Sequence, residues 1–186
     1  NPVNDAPIAV AKVAAADDPA NQTRHLVIVT PNNTDATVIV DGTASSDVDG
    51  DALSYAWFAN DSLTPFSTAA TATVTLPVGN YSITLIVFDG VATSSDTITV
   101  QIFTPCTVVE NLAAQVEAAD LAPNERNSLL GHLNAACATF GNGNTSAGIH
   151  QLELFQTRVT NKIAGNNPAL AQVLIAAAQA IIDAVQ

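Results

Sequence analysis

The hydrophobic pattern of the chain changes its period near Thr104 and Pro105. Before this point, apolar residues alternate with polar ones in short runs separated by Gly, Pro, Asn and Asp, which is typical of β-strands. After it, they recur every three to four residues in stretches rich in Ala, Leu and Gln, which is typical of amphipathic helices. A length of 186 residues suffices for two small domains. The pattern therefore predicts an α+β protein with an all-β domain at residues 1–105 and an all-helical domain at residues 106–186.

The first region contains seven candidate strands, and it favours a sandwich of two sheets with one face of each strand in the core. Tyr55 and Trp57 share one such face in the run SYAWF. The predicted strands are Ile8–Ala15, His25–Val29, Thr37–Asp41, Leu53–Ala59, Thr71–Leu76, Gly79–Phe88 and Thr93–Phe103.

The second region predicts four helices joined by short connections, which favours an antiparallel four-helix bundle. The first covers about Val108 to Ala119, and the second runs from Pro123 to Gly141, where glycine can end a helix with positive φ. The third begins near Asn144 or Thr145. Asn167 and Pro168 form an N-cap and first-turn pair for the fourth.

An acidic loop is the strongest candidate for chemistry. Asp47, Asp49 and Asp51 alternate around Gly50, which gathers hard oxygen ligands of the kind that calcium prefers. The spacing is not that of an EF-hand, because the glycine is the fourth residue of the loop and the twelfth position is Phe58 rather than Glu. The alternative is an ordinary solvated turn in which aspartates bond local amides.

The runs DGTASSDVDGDALSYAW (41–57) and GNYSITLIVFDG (79–90) resemble the PKD-type immunoglobulin-like (Ig-like) domains of secreted and surface proteins. In calcium-binding members of that family, aspartates of this turn meet an Asn or Asp of the preceding peptide and an Asp after a late strand. The resemblance therefore implies a calcium (Ca2+) site. Its ligand positions fall on Asn4 or Asp5, Asp47, Asp49 and Asp89, with Asp51 as a further candidate.

The second region carries a resemblance of its own. The run GNTSAGIHQLELFQTRVTNKI, with SLLGHLNAA before it and LIAAAQAII after it, is similar to small Ala-rich (FIMAH-like) helical domains of secreted bacterial proteins. This resemblance implies a helical fold and an extracellular context, and it brings no activity with it.

Cys106 and Cys137 are the two cysteines of the chain. A single pair in a chain with extracellular features favours a disulfide between the start of the first helix and the later part of the second. Two buried thiols are the alternative. A metal site of this pair with His132 is disfavoured, because the sequence offers no evident fourth ligand.

The net charge of −12, with 17 acidic and five basic residues, disfavours nucleic acid and anionic membranes as partners. No apolar run is expected to reach the roughly 18 residues of a membrane span. Because the chain begins with Asn1 and contains no Met, we expect a processed chain or an excised segment.

These features predict a secreted or cell-surface module without catalytic activity, because no catalytic motif is present. It would serve structure, adhesion or assembly, and neighbouring domains or subunits are its expected partners. Strand addition through Ile8 to Val13 is one route to oligomers. The alternative function is a carbohydrate-binding accessory module with a polysaccharide partner, which requires exposed aromatic side chains. An exposed Trp57 beside Phe58 or Phe66 would favour that alternative.

Overall fold

The computed structural model describes residues 3–14 and 24–186. They contain seven strands and four helices, so the predicted α+β class is confirmed. The strands are β1 Lys12–Ala14, β2 His25–Val29, β3 Asp35–Asp41, β4 Ser54–Ala59, β5 Thr71–Pro77, β6 Gly79–Phe88 and β7 Thr93–Phe103. The helices are α1 Pro105–Ala118, α2 Pro123–Gly141, α3 Thr145–Lys162 and α4 Pro168–Val185.

The described residues divide into two compact units. The strand unit comprises residues 3–14, 24–28 and 35–102, and the helical unit comprises residues 29–34 and 103–186. The expected division after residue 105 did not include the short segment 29–34 with the helices. That segment is bonded to α2, because the side-chain amide of Asn33 donates to the carbonyl of Phe140 at 2.8 Å.

The strands form two sheets, in the orders β1-β3-β5 and β2-β7-β6-β4. The pairs β1–β3, β3–β5, β4–β6 and β6–β7 are antiparallel. Strand β2 runs parallel to β7, because the amide of Thr99 donates to Arg24 and, further along both strands, that of Thr30 donates to Phe103. The second sheet is therefore mixed.

One apolar core holds the strand unit together, and its largest member is Trp57, which is 0% exposed. The indole N–H donates to the carbonyl of Ala69 at 3.0 Å, so burial leaves no polar group of this side chain unpaired. In β6, Ile83, Leu85 and Val87 alternate with less buried residues and face the same core. Burial along β6 thus follows the predicted period of two.

The strand expected at Ile8–Ala15 is shorter in the structure, where β1 begins at Lys12. Ile8 forms an isolated bridge to Ser46, and the last predicted position, Ala15, lies outside the described residues. The amides of residues 9–11 donate to side chains rather than to a neighbouring strand. We call residues 3–11 the N-terminal segment.

The helices begin where side-chain caps and prolines allow. Thr104 accepts from the amide of Thr107, which moves the start of α1 from the predicted Val108 to Pro105. The predicted cap at Asn167 is present and accepts from Leu170 at 3.1 Å. At the end of α2 the positive φ, 73°, belongs to Gly143. The expectation of a positive φ at Gly141 was wrong, because the helix continues through that residue.

The four helices surround one core. Adjacent helices pack along the chain, and α4 also packs on α1. Helix α4 is long and apolar enough, by length and composition, to cross a membrane, which corrects the expectation that no run reaches this length. Six of its residues are buried in the helical unit, as in the core helix of a folded domain: Ala171, Leu174, Ala178, Ile181, Ile182 and Val185.

The predicted disulfide is present and joins Cys106 of α1 to Cys137 of α2, 31 residues apart. A crosslink between two helices of one core restricts the unfolded chain.

The glycines of α2 and α3 differ in the space around them. A Cβ at Gly148 would overlap the ring of Phe140, a buried side chain, whereas a Cβ at Gly131 would have open space. We expect Gly148→Ala to lower the free energy of unfolding by about 1–3 kcal/mol through overpacking. Gly131→Ala should raise it by up to about 1 kcal/mol through helix propensity. Urea unfolding of both variants tests this, and equal effects at the two positions would contradict it.

Replacing Cys106 and Cys137 together by Ser should lower the free energy of unfolding by about 3 kcal/mol, because the 31-residue separation leaves a long open loop. Urea unfolding without reductant measures the loss. With reductant, the wild-type chain and the variant should unfold at similar urea concentrations. If the variant stayed less stable than the wild type by the same amount in reductant, the loss of stability would come from packing of the sulfur atoms.

Candidate metal site

Strand pairing brings the acidic turn and Asp89 to one end of a sheet. Ser54 at the start of β4 pairs with Phe88 at the end of β6. The acidic turn, residues 47–51, lies just before β4, and Asp89 follows β6 directly. The antiparallel register of β4 and β6 therefore brings the acidic turn and Asp89, which are far apart in sequence, to the same end of this sheet.

The acidic turn is closed by its own first carboxylate. Asp47 Oδ1 accepts from the amides of Asp49 at 2.8 Å and Asp51 at 3.3 Å. Gly50 has φ 79°, a conformation that L side chains rarely adopt, and it returns the chain toward Asp47. As a result, Asp47, Asp49 and Asp51 each place a carboxylate oxygen within 4.8 Å of the others.

The second oxygen of Asp47, Oδ2, is buried and has no hydrogen-bond partner. Buried oxygens in folded proteins are nearly always bonded, so an unpaired one points to a group outside the protein, such as a water or an ion. Among the described residues, neither Arg24, which pairs with Asp96, nor His150, which lies 3.5 Å from Glu153, supplies a cation to this turn. The arrangement therefore suits a cation that lies among three carboxylates.

The N-terminal segment lies against the acidic turn. The amide of Asp5 donates to Asp49 Oδ2 at 2.8 Å. The side-chain amide of Asn4 donates to Asp89 Oδ2 at 3.1 Å and to the carbonyl of Asp5 at 3.0 Å. The structure thus brings all six residues of the proposed ligand set into one chain of contacts.

Asp89 differs from the other members of the set. Only 8% of the residue is exposed, and Oδ1 accepts from the amides of Val91 and Ala92, each at 2.7 Å. Together with the bond from Asn4, these donors hold the pKa of Asp89 below its ordinary value. Asp89 is not one of the three carboxylates whose oxygens lie within 4.8 Å of one another. Its contact with the acidic turn runs through Asn4.

Three side chains that the sequence did not single out hold the rest of the N-terminal segment. Ser94 Oγ accepts from Ala9 at 3.3 Å, and Ser45 Oγ accepts from Val10 at 3.0 Å. Asp96 Oδ2 accepts from Ala11 at 2.9 Å and also pairs with Arg24. Partial burial of Asp96 opposes ionisation, yet the bonds from Arg24 and Ala11 outweigh it and lower the pKa of that carboxyl.

The aromatic side chains that were named for the carbohydrate alternative are not exposed. Trp57 is fully buried, and Phe58 and Phe66 are half-buried. The hydroxyl of Tyr81 donates to Pro77 at 3.0 Å. Of the six phenylalanines, Phe140 and Phe155 are fully buried, and Phe88, at the end of β6, is 40% exposed.

No family model matches the chain. No curated protein matches it either. Over 54% of its length it is similar to a solved nucleoside hydrolase-related hypothetical protein from Saccharophagus degradans that is associated with carbohydrate metabolism. The identity is 26%, the TM-score is 0.37, and 26% of that chain is covered. Over 53% of its length it is similar to the fibronectin(III)-like modules of Clostridium thermocellum CbhA, with 14% identity, a TM-score of 0.36 and 47% of that chain covered.

The lowered pKa of Asp89 makes stability depend on pH. The folded pKa lies below the ordinary value of 3.8, so the stabilisation is fully present well above pH 3.8 and is lost as the pH falls through the folded pKa. We expect Asp89→Asn to be less stable than the wild type at pH 6, and we expect the difference to shrink as the pH falls below 3.8. Urea unfolding across this range tests the sign. A difference that stayed constant with pH would contradict it.

Proposed function

We propose that the chain is a non-catalytic extracellular module in which bound calcium ties the N-terminal segment to a β-sandwich. The observation that carries this proposal is the unpaired, buried Oδ2 of Asp47 among three carboxylates. The contacts of Asn4 and Asp5 with Asp89 and Asp49 support it, because they join the segment to the same place. A cation there would stiffen the junction with whatever precedes the domain.

The donor set fits the chemistry of calcium. Calcium takes six to eight oxygen ligands in flexible geometry, and carboxylates supply both charge and oxygen. Asp47, Asp49 and Asp51 would hold the ion directly, and Asn4 and Asp5, which contact Asp89 and Asp49, would supply further oxygen atoms. Asp89 would position Asn4. The ion would offset the repulsion among like charges that the turn otherwise bears.

The finer fold assignment is also part of the proposal. We regard residues 1–105 as a PKD-like Ig sandwich and residues 106–186 as an antiparallel four-helix bundle of the FIMAH-like kind. The two-sheet topology and the helical core support these assignments.

A secreted or cell-surface location fits the disulfide, because such bonds persist in oxidising compartments. The proposed role is that of a spacer or subunit in an extracellular assembly such as a filament. Its partners would be neighbouring domains or other copies of the chain. Strand addition by the N-terminal segment would require its release. Its amides at Ala9, Val10 and Ala11 are already bonded within the chain, and β1 is paired with β3.

Calcium in excess of the dissociation constant should raise the melting temperature relative to EDTA. A hundredfold excess is worth about 3 kcal/mol, because a ligand that binds only the native state stabilises it by mass action. Asp47→Asn and Asp49→Asn should each abolish most of the rise in melting temperature. Asparagine keeps a side-chain oxygen that can still accept hydrogen bonds from the backbone amides. Thermal unfolding with and without calcium measures this.

The matched control is Asp61→Asn, an identical loss of charge at an exposed position of the strand unit outside the acidic turn. It should leave the calcium shift unchanged. Titration calorimetry of the wild type supplies the stoichiometry, expected to be one ion per chain. A calcium shift that was absent in the wild type would reduce the acidic turn to an ordinary turn.

A further inference from the structure

A cationic cleft lies between α2 and α3 in the helical unit, far in sequence from the acidic turn. It has a volume of about 450 Å³. Its lining residues are His132, Leu154, Thr157, Arg158, Asn161 and Lys162. The lining contains no carboxylate, although the chain has 17 acidic residues.

The cations of this cleft form no ion pair among residues 3–14 and 24–186. In the same residues, Arg24 pairs with Asp96, Arg126 donates to two backbone carbonyls, and Lys12 lies opposite Asp41 in the pairing of β1 with β3. Arg158 and Lys162 are exposed and form no ion pair with any described residue. The cleft thus holds two of the five Lys and Arg residues of the chain, and no described residue forms an ion pair with either of them.

The spacing of these two residues has a cost within the monomer. They lie four positions apart on α3, so their like charges face each other across one helical turn, which is mildly destabilising. The nearest acidic residue along the helix, Glu153, is paired with His150 at 3.5 Å. An external anion would relieve this repulsion.

The side chains specify the chemistry of the ligand. A guanidinium binds a carboxylate through two parallel hydrogen bonds, and an ammonium adds a point charge beside it. Thr157 and Asn161 offer further polar groups at the rim. Such a cleft fits a carboxylate-bearing surface.

The chain itself supplies such a surface. Residues 1–105 carry 11 acidic and two basic residues. Within the described part, Asp61 is exposed and lies outside the six residues of the proposed calcium site. We propose that the cationic cleft of one copy binds the acidic strand unit of a second copy through Asp61. This inference rests on the proposed role as an assembly subunit and names the contact that would build the assembly.

The two surfaces of this contact are different, so the interface is heterologous. Each copy would offer one cleft and one acidic surface, and copies would join head to tail. Such contacts form open filaments unless the rotation between copies closes a ring.

The test uses a cleft variant that combines Arg158→Gln and Lys162→Gln. It is compared with a control that makes the net charge more negative by the same two units at another place. Asn111→Asp with Gln115→Glu is a matched control, because both residues are exposed on α1 and both changes keep the shape of the side chain. Analytical ultracentrifugation of the full chain, at low ionic strength with calcium or with EDTA, measures self-association. We expect the cleft variant to associate about tenfold or more weakly than the wild type and the control. Circular dichroism melts establish that all three fold.

A mixing experiment gives a second readout. A cleft variant still carries the acidic surface, so it should bind labelled wild-type copies at one end and shorten their oligomers. A variant that was merely misfolded would not do so.

The outcomes separate this inference from the proposed function. Wild-type association that the cleft variant retained would overturn the cleft contact and leave the assembly role standing. A wild type that stayed monomeric in both buffers would overturn the cleft contact and remove the self-assembling form of the proposed role. A monomeric wild type that bound polygalacturonate through Arg158 and Lys162 would overturn a second copy as the occupant and make the cleft a polysaccharide site.

Discussion

The buried indole of Trp57 is the constraint on which the geometry of the strand unit depends. Because its ring is enclosed by the core and its N–H is bonded to Ala69, β4 cannot shift along β6 without exposing the ring or breaking that bond. The resulting register opposes Trp57 to Leu85 and Ser54 to Phe88. The position of the candidate metal site therefore follows from the burial of Trp57, which is not itself part of the site.

Elements governed by local patterns could be predicted from the sequence. The bounds of β6 and β7 agree with the alternation of their residues, and α4 begins at the predicted cap. The N-terminal segment could not be predicted in this way. Its amides donate to Ser94, Ser45 and Asp96, which lie 85, 35 and 85 positions away, and no local pattern encodes such distant acceptors. Strand propensity was present there, but side-chain acceptors took the place of a neighbouring strand.

The same division applies to the candidate site. The acidic turn is local, and the alternation of aspartates around Gly50 was sufficient to identify it. The role of Asp89 was not local, because the sequence cannot show that Val91, Ala92 and Asn4 all donate to one carboxylate. In the proposed site, a residue that the resemblance implied as a direct ligand would instead hold Asn4 in place. The buried Oδ2 of Asp47 is likewise visible only once the chain has folded.

The distribution of charge links the two units chemically. Asp47, Asp49 and Asp51 repel one another in the acidic turn. Arg158 and Lys162 repel one another in the cationic cleft. Folding alone relieves neither repulsion, because the described residues provide no opposite charge at either place. Groups that cost stability in the isolated chain can contribute to binding when a partner neutralises them. A calcium ion would neutralise the first group, and a carboxylate surface would neutralise the second, so both features direct the chain toward partners outside itself.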